Sequence, residues 1–410
     1  METIKACRIC GGSSIRTFFD LGSQPLANSL LKSPDEEEKF YPLSLSWCED
    51  CCLVQLNETV DPKELFSTYV WVTGTSKTAN EFADKFYKEF VGRAGGSKEK
   101  YVLEIASNDG TFLKPFLRDG WKVLGVDPAK NIADTANKEG IPTECVFFGK
   151  EAAEELLEKR GPARLVFARN VLPHVANTHD FVDGLRVVLS DDGVLAVETH
   201  YAKTILEGLH YDSIYHEHLC YFTLKSLERL LRDHGLYVFD VTASPISGGS
   251  IIVYARKHEG REKPEIHKYR ERESNQKTNN FASWKGFAAK SFAHREKLLE
   301  VLDKARSGGK RVIGWGASAR SSTMLNFCGI DCNVLNEIVD LNPLKQGLFT
   351  AGTHIPIKGA EEVMEKTPNC VFILAWNFAD EIIEALKNRF DYKGQCIIPL
   401  PVAPRVLQLG

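Results

Sequence analysis

Hydrophobic positions along the chain switch repeatedly between strand-like runs and helical spacing. From Tyr101 to about Arg256, short apolar runs alternate with stretches of helical spacing. The runs at 101–105, 122–126, 144–148, 164–168, 193–197, 236–241 and 251–256 read as strands, continuous as in a sheet covered on both faces. Helices are predicted between them, notably at 151–159, 178–189 and 223–234. This alternation predicts one doubly wound α/β domain. A turn at Gly248-Gly249-Ser250 makes the last two runs a hairpin and puts an antiparallel strand on the sheet. A second α/β unit begins near Lys310, with runs at 311–315, 337–340, 369–374 and 394–398. Between the two units Phe281, Trp284, Phe287, Ala288, Phe292, Leu298, Leu299 and Leu302 recur at helical spacing, predicting an amphipathic connector. Ala79, Phe82, Ala83, Phe86 and Phe90 predict a further helix packed on the first α/β domain. The domain organisation expected is therefore 1–70, 71–256, 257–309 and 310–410.

Composition narrows the class. The 410 residues, 43% of them hydrophobic, suit a globular protein with more than one core. A net charge of −4 gives no electrostatic footprint for nucleic acid or an anionic membrane, so neither is expected as a partner. The opening METIKACRIC has no basic start or apolar stretch of a secretory signal, and no run of about 18 apolar residues could span a bilayer. A cytoplasmic protein is expected. Five of the eleven cysteines fall within the first 52 residues, which in that compartment favours a metal over disulfides. Cys7-x-x-Cys10 and Cys48-x-x-Cys51 are two knuckles, each able to give one tetrahedral ion two thiolates. A structural zinc site with a closed shell and no catalytic role is predicted, with Cys52 a bystander. Residues Pro25 to Ser33 and the acidic 35–38 read as a surface excursion between the knuckles.

Candidate chemistry gathers at the carboxyl ends of the central strands. After the strand 101–105, Glu104, Ala106, Ser107, Asn108 and Gly110 form a loop in an acid-x-G-x-G-x-G register in which only Gly110 is glycine. The register resembles that of S-adenosylmethionine-dependent methyltransferases, where the loop passes the amino-acid end of the ligand. Asp127, closing the second strand, is placed to accept from ribose hydroxyls, Phe148 to wall the adenine, and Asn170 to face the same crevice. Farther on, Tyr215-His216-Glu217-His218, with Tyr221, follows the fifth strand and belongs at the same edge. Histidine can take a proton at neutral pH, and tyrosine can donate to a developing oxyanion. A metal held by the His-Glu-His run is the weaker reading, because adjacent positions rarely converge on one ion. Gly314, Gly316 and Ala319 also match the dinucleotide fingerprint, with Asp340 following 21 residues after Ala319.

Taken in order, the two knuckles, EIASNDGTFL, RNVLPHV, IYHEHLCYF, and GWGASARSSTMLN followed by VDLNPLKQG and THIPI resemble the sugar C-methyltransferase family over nearly the whole chain. The resemblance is to the C-3 methyltransferases of branched deoxysugar pathways, of the tetronitrose and mycarose type. It implies a zinc-binding domain, a Rossmann-like methyltransferase domain and a C-terminal Rossmann-like α/β domain. It also implies methyl transfer from S-adenosylmethionine to carbon 3 of a nucleotide-linked 4-keto-deoxysugar, dTDP-, GDP- or CDP-linked, and permits a monomer. By the same match His218 is the base, Tyr215 the enolate-stabilising donor, Glu217 the group orienting the imidazole, and His174 a second polar group at the sugar. Tyr69 or Trp71 would cover the site, while Ser318 and Arg320 are candidates for the diphosphate. The rival is an NAD-dependent oxidoreductase using the second cradle; it leaves the Glu104 loop and the His-Glu-His run without roles. A non-enzymatic zinc-ribbon scaffold is the third reading. Thermal-shift titration separates them: S-adenosylhomocysteine is expected to raise the melting temperature and NADH is not.

Overall fold

The computed structural model describes residues 1–66, 73–75, 77–95 and 99–410. Its central sheet runs, edge to edge, Tyr237–Ser244, Ser250–Arg256, Leu189–His200, Ala163–Arg169, Tyr101–Ile105, Lys122–Val126 and Thr143–Glu144. Ser250–Arg256 is antiparallel to both neighbours, as the hairpin requires, and the remaining pairings are parallel. The helix Lys77–Ala94 buries Ala79, Phe82, Ala83, Phe86 and Phe90 against one face. There Phe86 lies 5.1 Å and Phe90 5.9 Å from Phe167, and Phe116 stacks on the same ring at 5.8 Å. The third predicted strand is shorter than expected. Thr143 and Glu144 pair with Gly125 and Val126, where the neighbouring strand ends, so Cys145 to Phe148 have no partner to extend the ladder.

The N-terminal sheet holds Ile15–Pro25, Phe40–Cys48 and Val54–Leu56, and its fourth strand comes from far along the chain. Cys220 pairs with Gln55 and Tyr221 with Val54, so the end of the His-Glu-His segment is stitched to the cysteine-bearing domain. The surface excursion predicted for Pro25 to Ser33 and the acidic 35–38 holds for 32–37, which are exposed, but not for the apolar residues before them. Leu26, Ala27 and Leu31 are buried, and Leu31 and Phe349 exchange backbone hydrogen bonds of 2.9 and 2.8 Å. Glu38 accepts from Gly352 N and His354 Nε2, each at 2.5 Å. Leu31 and Glu38 thus find partners in the C-terminal domain, while Glu36 accepts from Lys32 N within the segment at 2.8 Å.

That domain has a six-stranded sheet in the order Ile357–Lys358, Ile338–Val339, Val312–Trp315, Cys370–Ile373, Gln395–Ile398 and Arg405–Gln408, parallel except for the last. The connector forms helices Pro264–Asn275 and Phe281–Arg306. Phe19, from the N-terminal sheet, sits edge-on to Phe287 and Phe292 of the connector and to Phe327 of the C-terminal domain, at 5.8, 5.5 and 5.7 Å. One buried ring thus joins three parts of the chain. Phe19→Ala is expected to cost about 3–5 kcal/mol, read as a lower melting temperature.

Candidate active site

At the end of Tyr101–Ile105 the backbone turns through left-handed conformations at Ala106, Asn108 and Gly110, with φ of 56°, 50° and 74°. Asn tolerates this region and glycine is indifferent to it. At Gly110 space matters too, since a Cβ would lie 2.6 Å from Ile141. Asp127 braces the loop, accepting Asn108 N at 3.0 Å and Ala129 N at 2.9 Å. Glu104 is fully buried beneath it. Burial pushes its carboxyl well above the usual range, partly opposed by the Arg169 charge. Arg169 is itself paired with Glu198 at 2.6 Å, which leaves Glu104 Oε2, like Ser107 Oγ, with no partner among the described residues. A buried carboxylate oxygen without a donor is a site waiting for one. From the other side, Thr73 N donates to Asn108 Oδ1 at 2.8 Å and Gly74 N to Asp109 Oδ2 at 2.9 Å. Tyr69 and Trp71 lie outside the described residues. Phe148 is half-buried with its ring 5.4 Å from Phe181, and Phe147 beside it is 49% exposed.

The three side chains of the His-Glu-His run diverge. His216 Nε2 bonds the Pro42 carbonyl at 3.1 Å, tying the run to the N-terminal sheet. Glu217 turns to Asn28 Nδ2 at 2.5 Å, and burial raises its carboxyl to about 7. It does not touch the His218 ring, so it does not orient the imidazole as expected. That task falls to the Ser213 carbonyl, which accepts from His218 Nδ1 at 2.8 Å. A proton held on Nδ1 leaves Nε2 as the basic nitrogen, and Tyr215 O–H meets it at 2.9 Å. His174 comes in from Leu172–His174, with Nδ1 2.7 Å from the Glu217 carbonyl and its ring 4.9 Å from that of His218. His200 approaches on another side, its ring 4.7 Å from that of His218 and its Nε2 without a partner among the described residues. Asn170, with φ of 49°, passes its N–H to the Glu198 carbonyl next to this group.

The two diphosphate candidates are otherwise engaged. Ser318 caps the helix Ala319–Cys328, accepting Ser321 N. Arg320 grips Asp212 through Nε and Nη2 at 3.0 and 2.9 Å, leaving only Nη1 without a partner. Neutralised in this way, it is not a free cation for a diphosphate. The dinucleotide-like cradle nearby is also filled. Asp340 accepts Ala317 N and Asn342 N at 2.8 Å each, Lys345 Nζ bonds the Ala317 carbonyl at 2.7 Å, and a Cβ at Gly316 would lie 2.5 Å from Ala375.

Cys7, Cys10, Cys48 and Cys51 bring their sulfurs within 4.8 Å of one another. Cys7 and Cys51 are 3.4 Å apart and Cys10 and Cys48 3.5 Å, a set that fits four thiolates around one zinc ion. Cys52 stands apart, bonded by Lys225 Nζ at 3.3 Å.

Residues 7–66 match the family described as "Putative zinc binding domain", 79–241 a methyltransferase domain, and 245–401 a C-methyltransferase C-terminal domain. The C-methyltransferase NovU of Streptomyces niveus is 34% identical over 413 residues, covering 99% of this chain and 98% of that protein. The chain belongs to this C-methyltransferase family. Among solved structures, magnesium protoporphyrin IX methyltransferase from Synechocystis PCC 6803 is 14% identical, with TM-score 0.34 over 44% of this chain and 79% of that one. A methyltransferase from Clostridium acetobutylicum is 10% identical, with TM-score 0.35 over 45% and 94%. Likenesses this slight bear on nothing below.

The enzyme is an S-adenosylmethionine-dependent C-methyltransferase, and its Glu104 Oε2 is a buried carboxyl oxygen with no donor among the described residues. Asp127 accepts one backbone N–H on each of its two oxygens. Among the described residues no helix is long and apolar enough to cross a membrane. Sequence reasoning missed His200, His210, Asp212 and Trp376. His200 ends a strand and His210 follows the short helix Ala202–Gly208, and nothing in their spacing marks them. Burial holds His174 and His210 at about 4 and His200 at about 3. In the unfolded chain such rings titrate near 6.5, so below that pH the unfolded state takes up protons that the folded state refuses. Their contribution to stability is complete above pH 6.5 and is lost as pH falls toward 4. His210→Gln is therefore expected to flatten the fall in stability between pH 7 and pH 5, by about 2 kcal/mol at pH 5, measured by denaturation across that range.

Proposed function

We propose that the enzyme methylates carbon 3 of a nucleotide-linked 4-keto-deoxysugar through an enolate. The observation that carries this reading is the buried Tyr215–His218 pair, with His218 Nδ1 fixed on a backbone carbonyl and Nε2 turned to the tyrosine hydroxyl. Transfer to oxygen needs no more than removal of a hydroxyl proton. Transfer to carbon needs a C–H made acidic by a neighbouring carbonyl, with a base at the carbon and a donor at the oxygen. His218 and Tyr215 have those two chemistries within 2.9 Å.

Bound S-adenosylmethionine supplies an electrophilic methyl group, held by Glu104, the loop through Gly110, and Asp127. Tyr215 donates its O–H to the keto oxygen, where the negative charge collects. That frees His218 Nε2, which takes the carbon-bound proton. The resulting imidazolium keeps its Nδ1–H on the Ser213 carbonyl, so the ring does not turn as its charge changes. His174 and His200, kept neutral by burial, line the site without adding charge, which suits an uncharged sugar ring. Asn28 holds Glu217 aside. The nucleotide, dTDP in the simplest case, extends toward the C-terminal domain.

The proton step can be isolated from methyl transfer. With S-adenosylhomocysteine bound in deuterium oxide, a dTDP-linked 4-keto-2,6-dideoxyhexose is expected to exchange its carbon-3 hydrogen for deuterium. His218→Gln should slow that exchange by roughly 100-fold or more while S-adenosylhomocysteine affinity is unchanged; exchange at the wild-type rate would remove His218 as the base. Because burial holds His218 well below 6.5, the exchange rate should be flat between pH 6 and 8. A limb near pH 7 would instead assign the base to Glu217.

A further inference from the structure

We propose that Arg320 and Trp376 of the C-terminal domain, acting through Asp212, are positioning residues for the proton-transfer histidine, His218. This rests on the reading of His218 as the base. The turn Tyr211–Ser213 carries the carbonyl that selects the His218 tautomer, and it is buried along its whole length. A three-residue turn has few hydrogen bonds of its own, so its position is set by whatever holds it. Here the holders come from residues 294 to 399. Asp212 receives three donors, Arg320 Nε at 3.0 Å, Arg320 Nη2 at 2.9 Å and Trp376 Nε1 at 2.7 Å. The Arg320 guanidinium also lies 4.7 Å from the centre of the Trp376 ring. Tyr211 O–H meets His294 Nδ1 at 3.1 Å, whose Nε2–H is held by the Pro399 carbonyl at 2.8 Å. Thr323 Oγ1 donates to the Ile214 carbonyl at 2.9 Å.

On either side of Ser213, then, the chain is anchored to another domain, and the Ser213 carbonyl is left to His218. Among these anchors the Asp212 set is the bidentate, charge-assisted one, and hence the most directional. Its loss lets the turn drift. A misplaced carbonyl then no longer holds the proton on Nδ1, and a fraction of the rings present N–H, rather than a lone pair, toward Tyr215. The C-terminal domain therefore contributes to the chemistry by fixing a tautomer, besides any contact it makes with the nucleotide.

The test needs a readout that general loosening does not move. Nitrogen-15 histidine spectra give one, with the His218 signals identified by their absence in His218→Gln. Wild-type protein should show His218 as the Nδ1–H tautomer. Arg320→Gln should show a tautomer mixture and a deuterium exchange rate on the dTDP-linked 4-keto sugar lower by about 10- to 100-fold, the loss that a misplacement of about 1 Å brings. S-adenosylhomocysteine affinity and zinc content should be unchanged, and Arg320→Lys should recover part of the rate. Arg320→Gln with the wild-type tautomer and an exchange rate within about 3-fold of wild type overturns the proposal. If Arg320→Gln does not fold, Trp376→Phe decides, since it removes one donor of three; a roughly 3- to 10-fold slower exchange supports the proposal and an unchanged rate overturns it. Should His218→Gln retain exchange, the base assignment fails, and the tautomer spectra still report whether Arg320 positions the ring.

Discussion

The chemistry proposed for this enzyme depends on removing histidines from water. His174, His200, His210 and His218 are all packed where an imidazolium would be poorly solvated, and each has its pKa pushed down mainly by that burial. A neutral imidazole must be told which nitrogen carries the proton, and the surrounding backbone does so. His218 gives Nδ1–H to Ser213, and His174 Nδ1 faces the Glu217 carbonyl. Desolvation sets the charge state and carbonyl geometry sets the direction of basicity. The same low-dielectric setting makes the Asp212–Arg320 pair an exacting constraint, because neither charge can relax into water if the other moves.

The chain contains two cradles of similar construction put to different ends. In both, the acid after the second strand accepts one N–H from the loop and one from two residues on: Asn108 and Ala129 to Asp127, Ala317 and Asn342 to Asp340. Counting back four residues from the loop N–H, the first cradle has Glu104 and the second has Ile313, which is buried in its own core. Lys345 then reaches across the second cradle to the Ala317 carbonyl. The first keeps a buried carboxyl oxygen, Glu104 Oε2, with no donor among the described residues. The second satisfies itself and becomes a platform whose first helix, Ala319–Cys328, carries Arg320 in its first turn.

How much was legible varied with the range of the interaction. The strands 101–105 and 122–126, the helix at 77–94 and the hairpin at 237–256 follow from local period and turn chemistry, and they appear where those signals lie. The four cysteines declare their ion by spacing alone. The strand at 144–148 was overread because its apolar run extends past the end of the neighbour it would pair with. Within the predicted excursion 25–38, residues 32–37 are exposed as their composition predicts, but Pro25 to Ala27, Leu31 and Glu38 were misread, because Phe349, Gly352 and His354, which anchor Leu31 and Glu38, lie over three hundred residues away.

The linear sequence therefore determined what depends on short-range periodicity and on residue type: the two α/β units, the knuckles, the left-handed loop at Ala106 to Gly110, and the presence of histidine and tyrosine in one segment. Tertiary structure alone decided which of those groups act together. Adjacent residues in an irregular segment point in unrelated directions, so His216, Glu217 and His218 parted company, one to the N-terminal sheet, one to Asn28 and one to Tyr215. Arg320, which by charge suited a phosphate, was claimed by Asp212, more than a hundred residues earlier in the chain. Residue type states what a side chain can donate or accept, but burial and the nearest oppositely matched group decide what it does.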